Sequence, residues 1–402
     1  MTILVLAYYF PPDPQIGGAR PFRFKKYLER MGHRVVVLTA AEGNERDVIH
    51  VTDPLREKPR EGLAFQAERF AWKLLLRADI RVAWSQAVFE AGKAFLAAYR
   101  GGDPVTILST APPVSTHLAA WRLARHSGCR WVADFRDPVY TKGGEVAALA
   151  WIAPALQHSM LKAADTVIAN TDAMEAMWQE QFPELSEKIH TLWNGYDPED
   201  AIPVQPVADR TQRVVSHVGE LYGGRDMAPV VRAFGRMLEK GSLAAGSVRV
   251  CQIGPTEDAE LPPREYLDRA IAVGWLEVRP PVKPAEARAL ALESDGLLLI
   301  QPHTGVQVPG KLFEYLRMAR PIFAYVVRNS PIVRILEKAG IPFECVYPGD
   351  SDETMDAAVL RFAAMLGDPP QAPSVWFEET FEARRQAETL ITLISRDHTP
   401  RR

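Results

Sequence analysis

Glycine, a cation and a carboxylate fall close together in the segment Val308-Pro309-Gly310-Lys311-Leu312-Phe313-Glu314-Tyr315-Leu316. The apolar run at 296–300 ahead of it reads as a buried strand, and Leu312, Tyr315, Leu316 and Ala319 recur at helical spacing. A strand that passes through a glycine loop into a helix aims backbone N–H groups and the positive helix end outward, where a phosphate can sit. Glu314, one turn inside, reaches a neighbouring hydroxyl. The ligand this arrangement suggests is a diphosphate beside a ribose. The Walker pattern is absent, so triphosphate chemistry is not the first reading.

A second loop of this kind is Val218-Gly219-Glu220-Leu221-Tyr222-Gly223-Gly224-Arg225. Its glycines permit close approach of a ligand, and Arg225 supplies a fixed positive charge suited to phosphate. A surface arginine is the plainer reading; the pairing with Gly310 and Lys311 favours function. Loss of Arg225 or Lys311 is expected to weaken diphosphate binding more than folding. Near the N-terminus, Gln15-Ile16-Gly17-Gly18-Ala19-Arg20 follows a first apolar run. Gly17 and Gly18 mark either a tight turn or another close approach, without the GxGxxG fingerprint. In the segment 109–117, Ser115 or Thr116 caps a helix, and His117 is either a packed histidine or a substrate contact. Asp134-Phe135-Arg136-Asp137-Pro138 places two carboxylates around an arginine at a strand end. It reads as a structural ion pair or as a functional charge, with Asp137 favoured for function.

These groups need elements to hold them. Apolar runs at 3–7 and 35–38 bracket a helix at 19–31, a βαβ unit that belongs in a parallel sheet. Strands at 105–109, 131–134 and 166–170 alternate with helices at 114–126, 147–163 and 173–181. Pro198, Pro203 and Pro206 interrupt a polar stretch that reads as a linker. The alternation then restarts, with strands at 214–218, 247–253, 277–279, 297–301 and 322–326. Helices fall at 228–239, 267–272, 284–292, 311–318 and 333–339, and a last one at 378–395. The expected architecture is α/β: two doubly wound, Rossmann-like domains facing a central cleft, with ligands outside the carboxyl ends of the strands. The expected boundaries are 1–196 for an acceptor-side domain, 197–212 for the linker and 213–375 for the nucleotide side. Residues 376–402 form a C-terminal helix able to cross back to the first domain.

At 402 residues and net charge −3, two domains fit and a generic nucleic-acid binder does not. The three cysteines share no metal spacing and read as reduced thiols, and the nine histidines form no metal motif. No metal site and no cofactor are expected. The N-terminus lacks a basic leader region, and no apolar run approaches membrane-spanning length. A cytoplasmic protein is expected, with membrane contact only peripheral, at the inner face of the cytoplasmic membrane. Two basic stretches interleaved with aromatics, 20–34 and 56–77, are the candidates for that contact. The first carries Arg20, Arg23, Lys25, Lys26, Arg30 and Arg34; the second runs from Arg56 to Arg77.

Taken together, these motifs resemble retaining glycosyltransferases of the GT-B fold, in the large group 1/family 4-like set with many bacterial polysaccharide and glycolipid enzymes. The resemblance runs from Tyr8-Tyr9-Phe10-Pro11-Pro12 and Gly17-Gly18-Ala19-Arg20 through Gly32-His33-Arg34-Val35 and the segments 109–117 and 134–138. It continues in Asn194-Gly195-Tyr196-Asp197 and the loops at 219–225 and 308–316. It implies transfer of a sugar from a nucleotide-diphosphate donor, such as a UDP-sugar, to a hydroxyl on a lipid-linked or glycan acceptor, with retention and without a metal. It implies that Glu314 binds the ribose, that Arg225 and Lys311 meet the donor phosphates, and that Val282-Lys283-Pro284 contacts the base. It places Gly17 and Gly18 near donor phosphate and acceptor, and Asp137 or Arg136 near the reacting sugar. One departure is Val306, where the family often has a first glutamate eight residues before the second. The alternatives implied are a nucleotide-sugar epimerase of the same fold and a non-catalytic nucleotide-sugar-binding protein.

Overall fold

The computed structural model describes residues 1–13, 16–43, 45–54, 81–139, 152–204, 206 and 210–395. The chain divides into two compact units, Met1–Asp197 with Glu382–Arg402, and Pro198–Phe381.

The first unit is built on a parallel sheet of β1 (Thr2–Ala7), β2 (Arg34–Thr39), β3 (Val48–His50), β4 (Val105–Ala111), β5 (Arg130–Phe135), β6 (Thr166–Ala169) and β7 (Ile189–Thr191). Their order is β3-β2-β1-β4-β5-β6-β7. The connecting helices are α1 (Ala19–Arg30), α2 (Val82–Ala98), α3 (Ser115–Ser127), α4 (Ile152–Ala163) and α5 (Asp172–Gln181). Every residue of β1 is buried, as a strand covered on both faces requires. Leu4 and Leu6 face one core with Trp84, Leu123 and Trp131; Ile3 and Val5 face the other with Phe24 and Leu28. The chain turns from one side of the sheet to the other between β1 and β4.

The second unit repeats the plan. Its strands are β8 (Arg213–Val218), β9 (Val248–Ile253), β10 (Leu276–Arg279), β11 (Gly296–Gln301), β12 (Ile322–Val326) and β13 (Phe343–Val346), all parallel in the order β10-β9-β8-β11-β12-β13. The helices are α6 (Ala228–Glu239), α7 (Arg264–Val273), α8 (Pro284–Leu292), α9 (Lys311–Arg317), α10 (Pro331–Ala339), α11 (Asp352–Met365) and α12 (Val375–Phe381). Val231 and Phe234 of α6 and Phe362 of α11 pack on Val215, Leu298 and Phe323 of the sheet. The switch of direction falls between β8 and β11.

Several expectations change. The helix expected over 378–395 breaks at Glu382, whose backbone bridges to Tyr196. Beyond the break, α13 (Ala383–Ser395) lies in the first unit, where Leu390 and Ile394 share a core with Phe24 and Tyr27 of α1. The basic stretch 56–77 and the start of the helix expected at 147 lie outside the described residues. In the stretch 20–34, three of the cations are paired within the first unit. Arg20 pairs with Asp134 at 2.8 Å, Lys25 with Glu29 at 2.7 Å and Lys26 with Asp197 at 2.6 Å. Its aromatics Phe24 and Tyr27 are buried under α13. No described helix is long and apolar enough to cross a membrane.

Candidate functional site

In an open parallel sheet the loops at the switch point part to either side and leave a crevice at the strand ends. In the second unit, the loop after β8 carries Gly219 and Arg225, and the loop after β11 leads into Lys311. Gly219 holds φ +134°, and a Cβ added there would lie 2.6 Å from Lys311 Nζ. The lysine amine therefore rests directly against the glycine, which no other residue type would permit without displacing it.

Lys311 Nζ donates to His217 Nε2 at 2.8 Å and makes no other hydrogen bond among the described residues. Two of its three N–H groups remain for a ligand. Burial, and secondarily the nearby Arg225 charge, lower its pKa from 10.5 to about 7. Arg225 donates through Nε to Gln301 Oε1 at 3.1 Å, and its guanidinium stacks 4.2 Å from the centre of the Tyr222 ring. The terminal nitrogens of Arg225 make no hydrogen bond among the described residues. Two cations, each anchored from behind, thus share one crevice. An anion with oxygens spread over more than one phosphate suits that arrangement.

Other expected donor-site residues are placed as follows. Glu314 sits on α9 with its side chain 45% exposed, 3.4 Å from Arg288 Nη2. Val282 is half-buried in the turn between β10 and α8. Gly310 opens α9, but the first-turn amides of Leu312 and Phe313 donate to Pro309 O and Gly310 O. The amides of Gly223 and Gly224 donate to Glu257 and Glu260 carboxylates, at 3.2 and 2.7 Å. The amides of Leu312, Phe313, Gly223 and Gly224 thus have partners within the protein, and Lys311 and Arg225 are the cations at these loops.

In the first unit the loops after β1, β4 and β5 are joined by Arg136. Its Nε donates to Ala111 O at 3.1 Å, and its terminal nitrogens to Gly17 O and Pro112 O, each at 2.6 Å. A Cβ at Gly17 would lie 2.7 Å from the Tyr9 ring, and one at Gly18 3.0 Å from Phe10 Cα. A side chain at Gly17 or Gly18 would therefore displace its neighbours. Asp134 is fully buried and accepts from Arg20 at 2.9 and 2.8 Å and from Thr110 at 2.8 Å. Arg20 also donates to Leu192 O and Trp193 O. Asp137 alone of the segment 134–138 is exposed.

His117 is placed in the core. It is fully buried, bonds Ser109 Oγ through Nδ1 at 2.8 Å, and lies 4.1 Å from the Phe135 ring centre. Burial lowers its pKa to about 3. That is the setting of a neutral histidine, and its buried Nε2 has no hydrogen-bond partner among the described residues. No group of three or more His, Cys, Asp or Glu side chains able to hold a metal occurs among the described residues.

Three further polar groups stand at these strand ends: His217, Gln252 and Gln301. All are buried. Their one sequence signal is a polar residue near the carboxyl end of an otherwise apolar strand, in Val214-Val215-Ser216-His217, Val250-Cys251-Gln252 and Leu299-Ile300-Gln301.

Known proteins share this plan. Residues 22–200 match the model of Glycosyltransferase Family 4. Sucrose-phosphate synthase from Thermosynechococcus elongatus superposes with a TM-score of 0.65 at 15% identity, over 98% of each chain. Anabaena HepE in complex with UDP-glucose gives 0.59 at 14% identity, over 98% of this chain and 99% of that one. The α,α-trehalose 6-phosphate synthase of Burkholderia multivorans gives 0.62 at 15%, over 98% and 96%. No curated protein matches this chain in sequence. Two parallel sheets with flanking helices in this order define the GT-B fold. The chain has that fold, and residues 22–200, almost all in its first unit, match the Glycosyltransferase Family 4 model.

Proposed function

We propose that this protein transfers a sugar from a nucleotide-diphosphate sugar to a hydroxyl on a lipid-linked or glycan acceptor, with retained anomeric configuration. The observation that carries this reading is the pair of anchored cations, Lys311 and Arg225, at the switch point of the second sheet. In transfer, the bond from the sugar's anomeric carbon to the diphosphate oxygen breaks and the acceptor oxygen bonds to that carbon. The acceptor hydroxyl gives its proton to an oxygen of the leaving diphosphate. Positive charge develops on the sugar and negative charge on the leaving diphosphate. Preorganised cations stabilise that leaving group without reorganising during the reaction. On this reading Lys311 and Arg225 do the work that a divalent metal does elsewhere, so chelator is expected to leave the rate unchanged.

The resemblance supplies the remaining roles. Glu314, partly exposed beside Arg288, takes the ribose hydroxyls, and Val282 lines the base. Asp137 orients the acceptor or balances charge on the sugar. Arg136 acts by fixing the loops around Gly17 and Ala111 rather than by touching substrate. The UDP-glucose bound to Anabaena HepE supports a uridine-diphosphate donor as the first to assay. Surface polysaccharide or glycolipid synthesis is the setting that such an acceptor implies.

The test is a transfer assay on purified protein with UDP-, GDP-, ADP- and TDP-sugars and a panel of hydroxyl acceptors. Transfer that falls strongly in Glu314→Ala supports the ribose assignment; transfer at the normal rate would remove it. Incubation with the donor alone separates an epimerase, which forms an isomer with no acceptor present.

A further inference from the structure

His217 on β8 and Gln252 on β9 are neighbours across the sheet, in register and both fully buried. They form a chain of hydrogen bonds. Lys311 Nζ donates to His217 Nε2 at 2.8 Å, and His217 Nδ1 bonds Gln252 Oε1 at 2.6 Å. Gln252 Nε2 then donates to Gly219 O at 3.0 Å and to Thr256 Oγ1 at 3.2 Å. An ammonium has no lone pair, so Nε2 must accept and Nδ1 must carry the proton. The imidazole therefore serves only while neutral. Burial, then the Lys311 charge, keep it so, with its pKa held well below 6.5. Every polar side-chain atom of His217 and Gln252 has a partner, the condition under which a buried network fixes one geometry.

We propose that His217, held by Gln252, is a positioning residue that fixes Lys311 Nζ over Gly219, so that its two remaining N–H groups address the donor diphosphate. The inference rests on the diphosphate reading of the site. A lysine amine on a flexible four-carbon stem must otherwise be ordered when ligand arrives, and ordering it beforehand removes that cost from binding. The glycine at 219 supplies the room and its carbonyl ties the loop to the same network. The network thus sets the lysine and the loop it crosses as one unit.

Calorimetric titration with UDP, GDP and ADP, and with uridine, guanosine and adenosine, tests this on the full chain. The proteins are wild type, His217→Leu, His217→Gln, Gln252→Met and Lys311→Met. His217→Leu is expected to lose roughly tenfold in affinity for the diphosphate that wild type binds best, while the matching nucleoside changes less than about twofold. His217→Gln keeps an oxygen able to accept from Lys311 and should recover most of the loss. Gln252→Met should fall between. If His217→Leu fails to fold, an unchanged diphosphate affinity in Gln252→Met overturns the proposal. Wild-type affinity in His217→Leu beside a loss in Lys311→Met overturns the positioning role and leaves the site intact. Unchanged diphosphate affinity in Lys311→Met removes the site reading and the proposal together.

Discussion

Lys311 is a cation kept where its charge is disfavoured. Its pKa of about 7 means that a diphosphate, which selects the charged form, binds best below that pH. Affinity should fall as pH rises from 7 to 8.5, and the fall should vanish in Lys311→Met; titration of the best-bound diphosphate across that range reads both. The same shift acts on stability. The folded state binds fewer protons than the unfolded state between about 7 and 10.5, so this group makes the fold gain stability as pH rises through that window. Wild type should therefore gain on Lys311→Met in melting temperature from pH 7 to pH 10. His117 acts on the acid side. Its folded pKa of about 3 lies below the ordinary 6.5, so its contribution is full above 6.5 and is lost as pH falls below it. Melting curves from pH 7 to pH 4 should fall less steeply for His117→Leu than for wild type. Lys311, Arg225 and Glu314 stand out in the sequence as candidates because each lies in a loop or first turn near glycines. His217 and Gln252 do not, because the bond between them depends on strand register across 35 residues of chain. Arg136 was legible as a charge at a strand end, but its hydrogen bonds to carbonyls depend on where three separate loops meet.

Two glycines separate what the site's loops contribute to binding and to folding. Both Gly219 and Gly254 hold φ near +130°, at +134° and +133°. A Cβ at 219 meets the movable end of Lys311, whereas a Cβ at 254 lies 2.6 Å from the backbone oxygen of Gly219. Backbone strain of this type costs on the order of 1–3 kcal/mol. Gly254→Ala should therefore destabilise the protein more than Gly219→Ala in chemical denaturation. Gly219→Ala should show the greater specific loss of diphosphate affinity, because it moves the lysine. The central strands were readable from their apolar runs; β3, β7 and β13 were not. β3 and β7 are three residues long, and β13 is only half-buried over most of its length. Such edge strands carry too few apolar residues to register as a run.

At the scale of the whole molecule, the described residues form two parallel sheets of one design, with the last described helix, α13, belonging to the first unit. Removing residues 382–402 should expose Phe24, Tyr27 and Leu28 of α1, at roughly 1.5–3 kcal/mol for each large side chain uncovered. Hydrogen exchange in such a truncation should rise in α1 and β2 and stay unchanged in β8 and α9. The break at Glu382 was hidden in the sequence because apolar residues continue at helical spacing on both sides of it. The central claim is that the second unit binds a nucleotide-diphosphate sugar through Lys311 and Arg225. Thermal denaturation with UDP-, GDP-, ADP-, TDP- and CMP-sugars, run beside an Arg225→Ala/Lys311→Met double variant, tests it most directly. At least one diphosphate sugar is expected to raise the melting temperature in proportion to the logarithm of its concentration. CMP-sugars, with a single phosphate, are expected to do less, and the double variant to lose the shift. No shift with any donor, or an equal shift in the double variant, would contradict that claim.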